Sequence, residues 1–306
     1  KGICRVRQNI NGKLVSLVFG KVAGGLSVDP IEKKPLFHFL PGSKVLSFGT
    51  VGCNFRCKHC QNWNTSQSNS CSIIEKEISP EEIVKKAQDN NCKAIAYTYN
   101  EPTIFYEFML ETAMLAKEKG LKNVVVSNGF INPAPLRNLC RFIDGFNIDL
   151  KSFSELFYKK TTTGELEAVL ETLKILKEKN KWFEITTLLI PGMNDDFDEL
   201  TRLCEWISSN LGTDYPIHFT RFQPDYEMMN LPPTPLTSLL RAYDIAKSFG
   251  LKYIYVGNIQ TKDFQNTHCP NCHALLIERS YFDVMKNNLK KETCFNCGSK
   301  IEGVFE

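Results

Sequence analysis

Three cysteines, Cys53, Cys57 and Cys60, fall at x3 and x2 spacing within Gly52-Cys53-Asn54-Phe55-Arg56-Cys57-Lys58-His59-Cys60-Gln61-Asn62. The stretch directly follows an apolar, strand-like run, Val45 to Phe48. Three thiolates so close cannot all pair as disulfides with one another, but they can grip a metal centre from one side. A [4Fe–4S] cube takes four cysteines. A loop that offers three leaves one iron without a protein ligand, and a reactive metal site needs such an open position. The alternative is a structural site whose fourth ligand lies elsewhere in the chain.

A second cysteine set closes the chain. Cys269-Pro270-Asn271-Cys272 and Cys294-Phe295-Asn296-Cys297-Gly298 are two C-x2-C knuckles separated by 21 residues, close to the four-cysteine zinc pattern. Tetrahedral sulfur coordination fills such a site, so the expected role is structural, in a ribbon too small to hold itself without metal. Rubredoxin-type iron is the alternative. His268 and His273 adjoin the first knuckle, where either could replace a cysteine. Lys286, Lys290 and Lys291 between the knuckles read as a solvated face. The remaining cysteines sit singly: Cys71, Cys92, Cys140 and Cys204 are expected to pack as small apolar groups. Cys4 is either a buried thiol or the last ligand of a set extending upstream.

The elements that must position these residues are legible from Lys44 onward. Short β-branched or aromatic runs recur at Val45–Phe48, Lys93–Tyr99, Asn123–Ser127, Gly145–Leu150, Trp182–Leu189, Ile217–Phe222 and Tyr253–Val256. Helical stretches lie between them. Ser79-Pro80-Glu81-Glu82 sets a cap residue, a first-turn proline and a reaching glutamate in register. Thr103–Lys119 and Leu236–Phe249 end at Gly120 and Gly250, and Gly164–Lys179 repeats leucines at helical spacing. The alternation predicts an α/β fold with a parallel sheet. We expect a partial (β/α)6 TIM-type barrel over residues 44–262; a doubly wound sheet is the other arrangement the pattern allows. Residues 1–43, with the turn pair Asn11-Gly12 before the apolar Leu14–Phe19, are expected to form a β-hairpin extension. Pro30, Pro35 and Pro41 exclude helix from Leu26–Pro41. Residues 263–306 form the zinc-ribbon-like module.

Chemistry in such barrels collects on loops after the strand C-terminal ends, and the informative polar residues lie there. Tyr99-Asn100-Glu101-Pro102 follows the second of these strands and Ser127-Asn128-Gly129 the third. Asp149 and Lys151 close the fourth, and Pro191-Gly192-Met193-Asn194-Asp195 the fifth. His218 and Arg221 lie in the sixth, and Gly257-Asn258 follows the seventh. Each has a plain explanation. Asn128-Gly129 is a turn pair, Asn194 or Asp195 can cap the next helix, Glu101-Pro102 can open one, and Asp149 with Lys151 can be a rim ion pair. Their common position above one cysteine loop favours function.

A net charge of +3 gives no argument for nucleic acid, and no run of 18 apolar residues predicts a membrane span. The chain starts at Lys1 with no apolar export segment after it, which reads as a soluble protein whose natural start lies upstream. Twelve cysteines in a long chain with C-x2-C clusters point to metal binding in a reducing cytoplasm.

C-x3-C-x2-C ahead of a βα-repeating chain resembles the radical S-adenosylmethionine (SAM) superfamily. The resemblance implies a [4Fe–4S] cluster on Cys53, Cys57 and Cys60, with SAM chelated to the fourth iron. Tyr99-Asn100-Glu101 occupies the place of a Gly-Gly-Glu motif for the SAM amino group, with both glycines replaced. Ser127 and Asn128 correspond to the ribose-contacting motif. Asp149 and Lys151 match an Asp-Leu-Lys element that contacts the methionine part of SAM in glycyl-radical activating enzymes. His59 corresponds to a position near the adenine. His218 lies near where those activases also touch SAM, and is equally ordinary as a core histidine.

Further phrases resemble the AmmeMemoRadiSam group, which is pyruvate-formate-lyase-activating-enzyme-like. They are Cys4-Arg5-Val6-Arg7, Asp29 to Leu36, Cys60-Gln61-Asn62-Trp63, Tyr97 to Thr103 and His218 to Asp225. In that group further cysteines precede the position of Cys4. The implied activity is reductive cleavage of SAM to methionine and a 5′-deoxyadenosyl radical, which abstracts hydrogen from an unidentified substrate. A one-electron donor such as flavodoxin or ferredoxin is implied as partner. The alternatives are an activase acting on a partner protein, and a non-enzymatic iron–sulfur or zinc adaptor, against which the weak charge and the polar ring both speak.

Overall fold

Asn11 and Gly12 both adopt positive φ (50° and 82°), the turn geometry that matches the twist of paired strands. They join β1 (Arg7–Ile10) to β2 (Lys13–Ser16), giving the expected hairpin. Next come β3 (Lys21–Ala23) and β4 (Ser27–Pro30), then a 3₁₀ helix over Ile31–Lys33, which corrects the expectation of no helix there: Pro30 stands as its N-cap, where a missing N–H costs nothing. The computed structural model describes residues 1–68, 75–259 and 263–306. Cys71 and the expected module boundary near residue 262 lie outside the described residues.

The main sheet begins with β5 (Lys44–Phe48). A short α1 (Trp63–Ser66), β6 (Glu75–Glu77) and α2 (Pro80–Asp89) lead to β7 (Ala94–Tyr97). Then α3 (Tyr106–Glu118) precedes β8 (Lys122–Ser127), and α4 (Pro133–Leu139) precedes β9 (Gly145–Asp149). A turn, α5 (Glu155–Phe157), and α6 (Leu166–Glu178) precede β10 (Trp182–Leu189). Finally α7 (Phe197–Asn210) leads to β11 (Ile217–Arg221), and α8 (Leu236–Ser248) to β12 (Ile254–Gly257). The strand order is β12-β11-β10-β9-β8-β7-β5-β4, parallel except for β4. Six crossovers therefore join seven parallel strands, all stepping in one direction. Right-handed crossovers of a single sense place the helices on one face of the sheet, which excludes the doubly wound alternative.

Local chemistry accounts for the boundaries. In α2 the Ser79 hydroxyl accepts from the Glu82 amide (3.3 Å) while the Glu82 carboxylate accepts from the Ser79 amide (2.9 Å), the reciprocal cap expected there. Helices α3 and α8 stop before Gly120 and Gly250, whose φ values of 76° and 78° end them without steric cost. Helix α7 corrects one expectation. Its cap is Asp196, which accepts from the Glu199 amide at 2.9 Å. Asn194 and Asp195 instead close the preceding turn on the Ile190 and Gly192 amides.

The C-terminal residues form a three-stranded antiparallel sheet, β13 (Thr267–His268), β14 (Leu275–Ser280) and β15 (Asp283–Asn287). It shares a core with the main sheet: Leu276, Ile277 and Ile301 pack with Phe37, Tyr253 and Tyr255. The N-terminal segment is likewise integrated, since β4 adds a strand to the main sheet.

Candidate active site

The cysteine loop leaves β5 through Gly49, where a Cβ would stand 2.4 Å from the Thr98 carbonyl oxygen. Only glycine lets the two strand ends approach so closely. Asn100 then clamps the loop. Its amide nitrogen donates to the Gly52 carbonyl (2.8 Å) and the Thr50 hydroxyl (3.1 Å), and its oxygen accepts from the Thr50 amide (3.3 Å). On the other side, the Arg56 and Lys58 amides donate to the Thr162 and Thr161 carbonyls (2.8 and 3.0 Å). Those two residues end a π-type turn, Tyr158–Thr162. Carbonyls at the end of such an element have no intrahelical partner and are free to accept.

One cavity of about 560 Å³ is lined by Cys53, Cys57 and Cys60 together with His59, Asn100, Glu101, Ser127, Asn128, Asp149 and Lys151. These ten come from four sequence stretches, 53–60, 100–101, 127–128 and 149–151, which the sheet gathers at its strand ends. The exception among the expected residues is His218. Its Nε2 lies 2.6 Å from the buried Glu184 carboxylate, and its ring packs on Phe37 and Tyr255. It is held in the core beneath the cavity and does not line it.

Glu101 is the organising group of the amide-rich wall. One carboxylate oxygen accepts from the Thr103 amide (3.0 Å) and the Ser127 hydroxyl (2.9 Å), and the other from the Asn128 amide (2.8 Å). Burial pushes its pKa up, and these donors pull the other way without cancelling the rise. Asn128 passes the order on: its side chain donates to Asn54 (2.8 Å) in the cysteine loop and its oxygen accepts from the Phe130 amide (2.9 Å).

Opposite stands Lys151, whose ammonium lies 2.8 Å from Asp149. Burial alone would lower its pKa, but Asp149 and the Cys57 sulfur outweigh that and raise it, so Lys151 stays charged. Burial pushes the Cys57 thiol up to about 12, with Lys151 acting in the opposite direction. The His59 imidazole is held down to about 3 by burial and then by Lys151, so it is neutral. Its buried Nδ1 has no hydrogen-bond partner in the protein, and a residue lining a cavity with an unpaired buried polar atom marks a place for a ligand.

These residues fit the groups that the sequence pattern implies. Three thiols share the cavity, the Phe55 amide points at the Cys53 sulfur (3.4 Å), and the lining contains no fourth cysteine. That donor set suits a cluster with one iron left open. The Lys151 ammonium and the Glu101 wall offer opposite charges to a zwitterionic ligand.

The C-terminal cysteines converge separately. The sulfurs of Cys269, Cys272, Cys294 and Cys297 all lie within 4.8 Å of one another, and the set includes neither His268 nor His273. Cys269 and Cys297 are 3.6 Å apart, Cys272 and Cys294 3.7 Å. Four sulfurs at 2.3 Å from a tetrahedral zinc would stand roughly 3.8 Å apart, so the four cysteines fit one tetrahedral metal ion. The Ser299 hydroxyl lowers the Cys297 thiol to about 5, which favours the ligating thiolate. Of the single cysteines, Cys4, Cys92, Cys140 and Cys204 are buried, as expected of packing groups.

The radical SAM superfamily profile matches residues 48–204. An uncharacterized protein of Methanocaldococcus jannaschii is 47% identical over 99% of this chain and 90% of its own length. The pyruvate formate-lyase 1-activating enzyme of Escherichia coli K12 is 22% identical over 70% of this chain and 93% of its own length. The fold also aligns with Streptococcus suis SuiB bound to S-adenosylmethionine, at a TM-score of 0.56 and 12% identity, covering 74% of this chain and 53% of that one. The chain is a member of the radical SAM superfamily and an enzyme of the activase-like type. Membership implies a [4Fe–4S] cluster and SAM, and it sets aside the non-enzymatic adaptor reading. Sequence reasoning overlooked the π-type turn and the Lys33–Pro35 segment, which also borders the cavity. No motif marked the turn, and the Asp29 to Leu36 phrase carried a family resemblance without a place at the site.

Proposed function

We propose that this enzyme cleaves SAM reductively at a [4Fe–4S] cluster held by Cys53, Cys57 and Cys60. When bound, the cluster and SAM supply a 5′-deoxyadenosyl radical that takes a hydrogen atom from an unreactive C–H bond of the substrate. The observation that carries this reading is the meeting of all three thiols with Asn100, Glu101, Ser127, Asn128, Asp149 and Lys151 in one cavity. Lys151 holds a positive charge where a carboxylate can be oriented. Glu101, Ser127 and Asn128 form the polar wall for the amino and ribose ends, and the neutral His59, whose Nδ1 is unpaired, lines the same cavity. A flavodoxin- or ferredoxin-type donor would supply electrons in the cytoplasm. Zinc at Cys269, Cys272, Cys294 and Cys297 would be structural. Among the described residues, no helix is long and apolar enough to cross a membrane.

The name of the E. coli relative, an activating enzyme of pyruvate formate-lyase, supports a second reading, in which the substrate is a partner protein that this enzyme activates. The test common to both is anaerobic reconstitution followed by assay of 5′-deoxyadenosine with dithionite. Wild type is expected to form it, and Cys57→Ala to form none while retaining its circular dichroism spectrum. A folded Cys57→Ala protein that still forms 5′-deoxyadenosine refutes the proposal.

A further inference from the structure

The main sheet is open, with β4 and β12 as its two edges, and this chain fills the gap between them with its own segments. From the β12 side, the Val256 amide donates to the Phe264 carbonyl (3.0 Å) and the Tyr255 hydroxyl meets that of Thr267 (2.8 Å). From the β4 side, Arg279 of β14 donates to the Phe37 carbonyl (2.7 Å) and lies 3.7 Å from Glu32. The four-cysteine module is thus bolted across the opening. Its β14–β15 hairpin puts Phe282, at the tip, on the wall of the cavity that holds Cys53, Cys57 and Cys60. Lys33, Lys34 and Pro35 border the same cavity.

The charge of this outer wall is unbalanced. Lys33 and Lys34 share one carboxylate, Asp29, at 2.9 and 2.7 Å. That carboxylate also accepts from the Tyr99 hydroxyl (2.7 Å) and, more weakly, from Ser27 (3.4 Å). Lys34 is 2% exposed and sits over the Tyr99 ring at 4.7 Å. A buried ammonium with half a counter-ion is costly, and an anion entering the cavity would relieve it.

We propose that Lys33, Lys34 and Phe282 form the substrate end of the cavity, and that the substrate is a small anionic molecule, carboxylate or phosphate, rather than a loop of a partner protein. The proposal rests on the SAM-cleavage reading. A peptide entering between β4 and β12 would have to displace the module, whose contacts with Phe37 and Tyr255 span that gap. A small molecule needs only the space inside, where Phe282 offers an apolar face and the lysines an anchor.

The test uses the reconstituted full chain with dithionite, SAM and a deuterated extract of the source organism, split by ultrafiltration into small-molecule and macromolecular fractions. In the expected transfer, a substrate C–D bond breaks and a C–D bond forms at the 5′ carbon, so deuterium appears in 5′-deoxyadenosine with the small-molecule fraction. An anion-exchange resin should retain that activity. Lys33→Gln, which leaves Asp29 paired with Lys34, and Phe282→Ala should each raise the half-saturating amount of the fraction about tenfold. Hydrogen exchange at Lys33–Pro35 and Tyr281–Asp283 should slow when the fraction is added. Transfer from the macromolecular fraction alone assigns the site to a partner protein and overturns the proposal. So does an activity the resin does not retain, or unchanged half-saturation in both variants. A wild-type enzyme that forms no 5′-deoxyadenosine without extract refutes SAM cleavage instead.

Discussion

Replacing Glu101 with glutamine separates charge and geometry from size. The carboxylate faces a backbone N–H on each oxygen, Thr103 at 3.0 Å on one and Asn128 at 2.8 Å on the other. Glutamine has one oxygen and one NH2 group. If the oxygen stays with Thr103, the NH2 points at the Asn128 amide; if it flips, the NH2 points at Thr103. The Ser127 hydroxyl can rotate to suit either arrangement, but the backbone donors cannot. One buried N–H therefore loses its acceptor in both orientations, at a cost of about 1–3 kcal/mol. The strain falls on Asn128, which holds Asn54 and hence the cysteine loop. If the ligand-ready loop position carries that cost, SAM affinity drops roughly 5- to 150-fold. Equilibrium dialysis of labelled SAM against cluster-loaded protein measures the drop. Hydrogen exchange at the Asn128 amide shows whether the loop has shifted. An unchanged dissociation constant in Glu101→Gln would refute the reasoning, because the lost acceptor cannot be avoided.

Two further perturbations test other parts of the molecule. Cys297→Ser, or treatment with a zinc chelator, is expected to remove the module's metal and speed hydrogen exchange across Phe264–Phe305 while sparing α6. Metal analysis that finds one zinc per chain in Cys297→Ser would show that the site does not use this sulfur. The third perturbation is acid. His38 donates through Nδ1 to the Glu302 carbonyl (2.7 Å), so its Nε2 must accept from the Tyr255 hydroxyl (2.6 Å). Burial lowers the His38 pKa to about 4, with Glu184 opposing and Arg279 and His218 reinforcing the shift. The unfolded chain titrates near 6.5 and binds the proton first, so stability is lost as pH falls from about 6.5 toward 4, by of order 3 kcal/mol. His38→Gln should lack that component in denaturant midpoints measured against pH, and equal slopes in the two proteins would refute the assignment.

The parallel strands were legible because each is an apolar run bounded by turn chemistry, and Trp182–Leu189 ends at the residues the pattern marks. Glu101, Asn128 and Lys151 were legible as strand-end residues, since a repeated βα unit returns its loops to one end. Two kinds of information were missing. The role of His218 depends on Glu184, a residue 34 positions away whose partner no spacing rule reveals. The integration of both termini depends on single long-range contacts, such as Arg279 to Phe37, 242 positions apart. The paired C-x2-C knuckles read as a separate module from residue 263, yet Leu276 and Ile277 share a core with Phe37 and Tyr255. Sequence pattern marks where elements start and stop, but not which of them bury the same surface.

The two residues that stand in place of glycines before Glu101 show how this chain differs locally. Tyr99 adopts φ 71°, a left-handed conformation that glycine takes freely and that costs another residue about 1–2 kcal/mol. Its side chain supplies the compensation. The hydroxyl donates to the buried Asp29 (2.7 Å), and the ring lies under the Lys34 ammonium at 4.7 Å. A hydrogen bond to a charged group is worth about 1.5–3 kcal/mol, enough to cover the backbone cost. Asn100, next in line, holds Thr50 and Gly52 ahead of Cys53. Where two glycines would leave a bare backbone, this pair ties the polar wall of the cavity to the cysteine loop on one side and to the Lys33–Lys34 segment on the other. The positive φ that glycine would take is kept at Tyr99, and the side chains that replace hydrogen atoms fix its surroundings through Asp29, Lys34, Thr50 and Gly52.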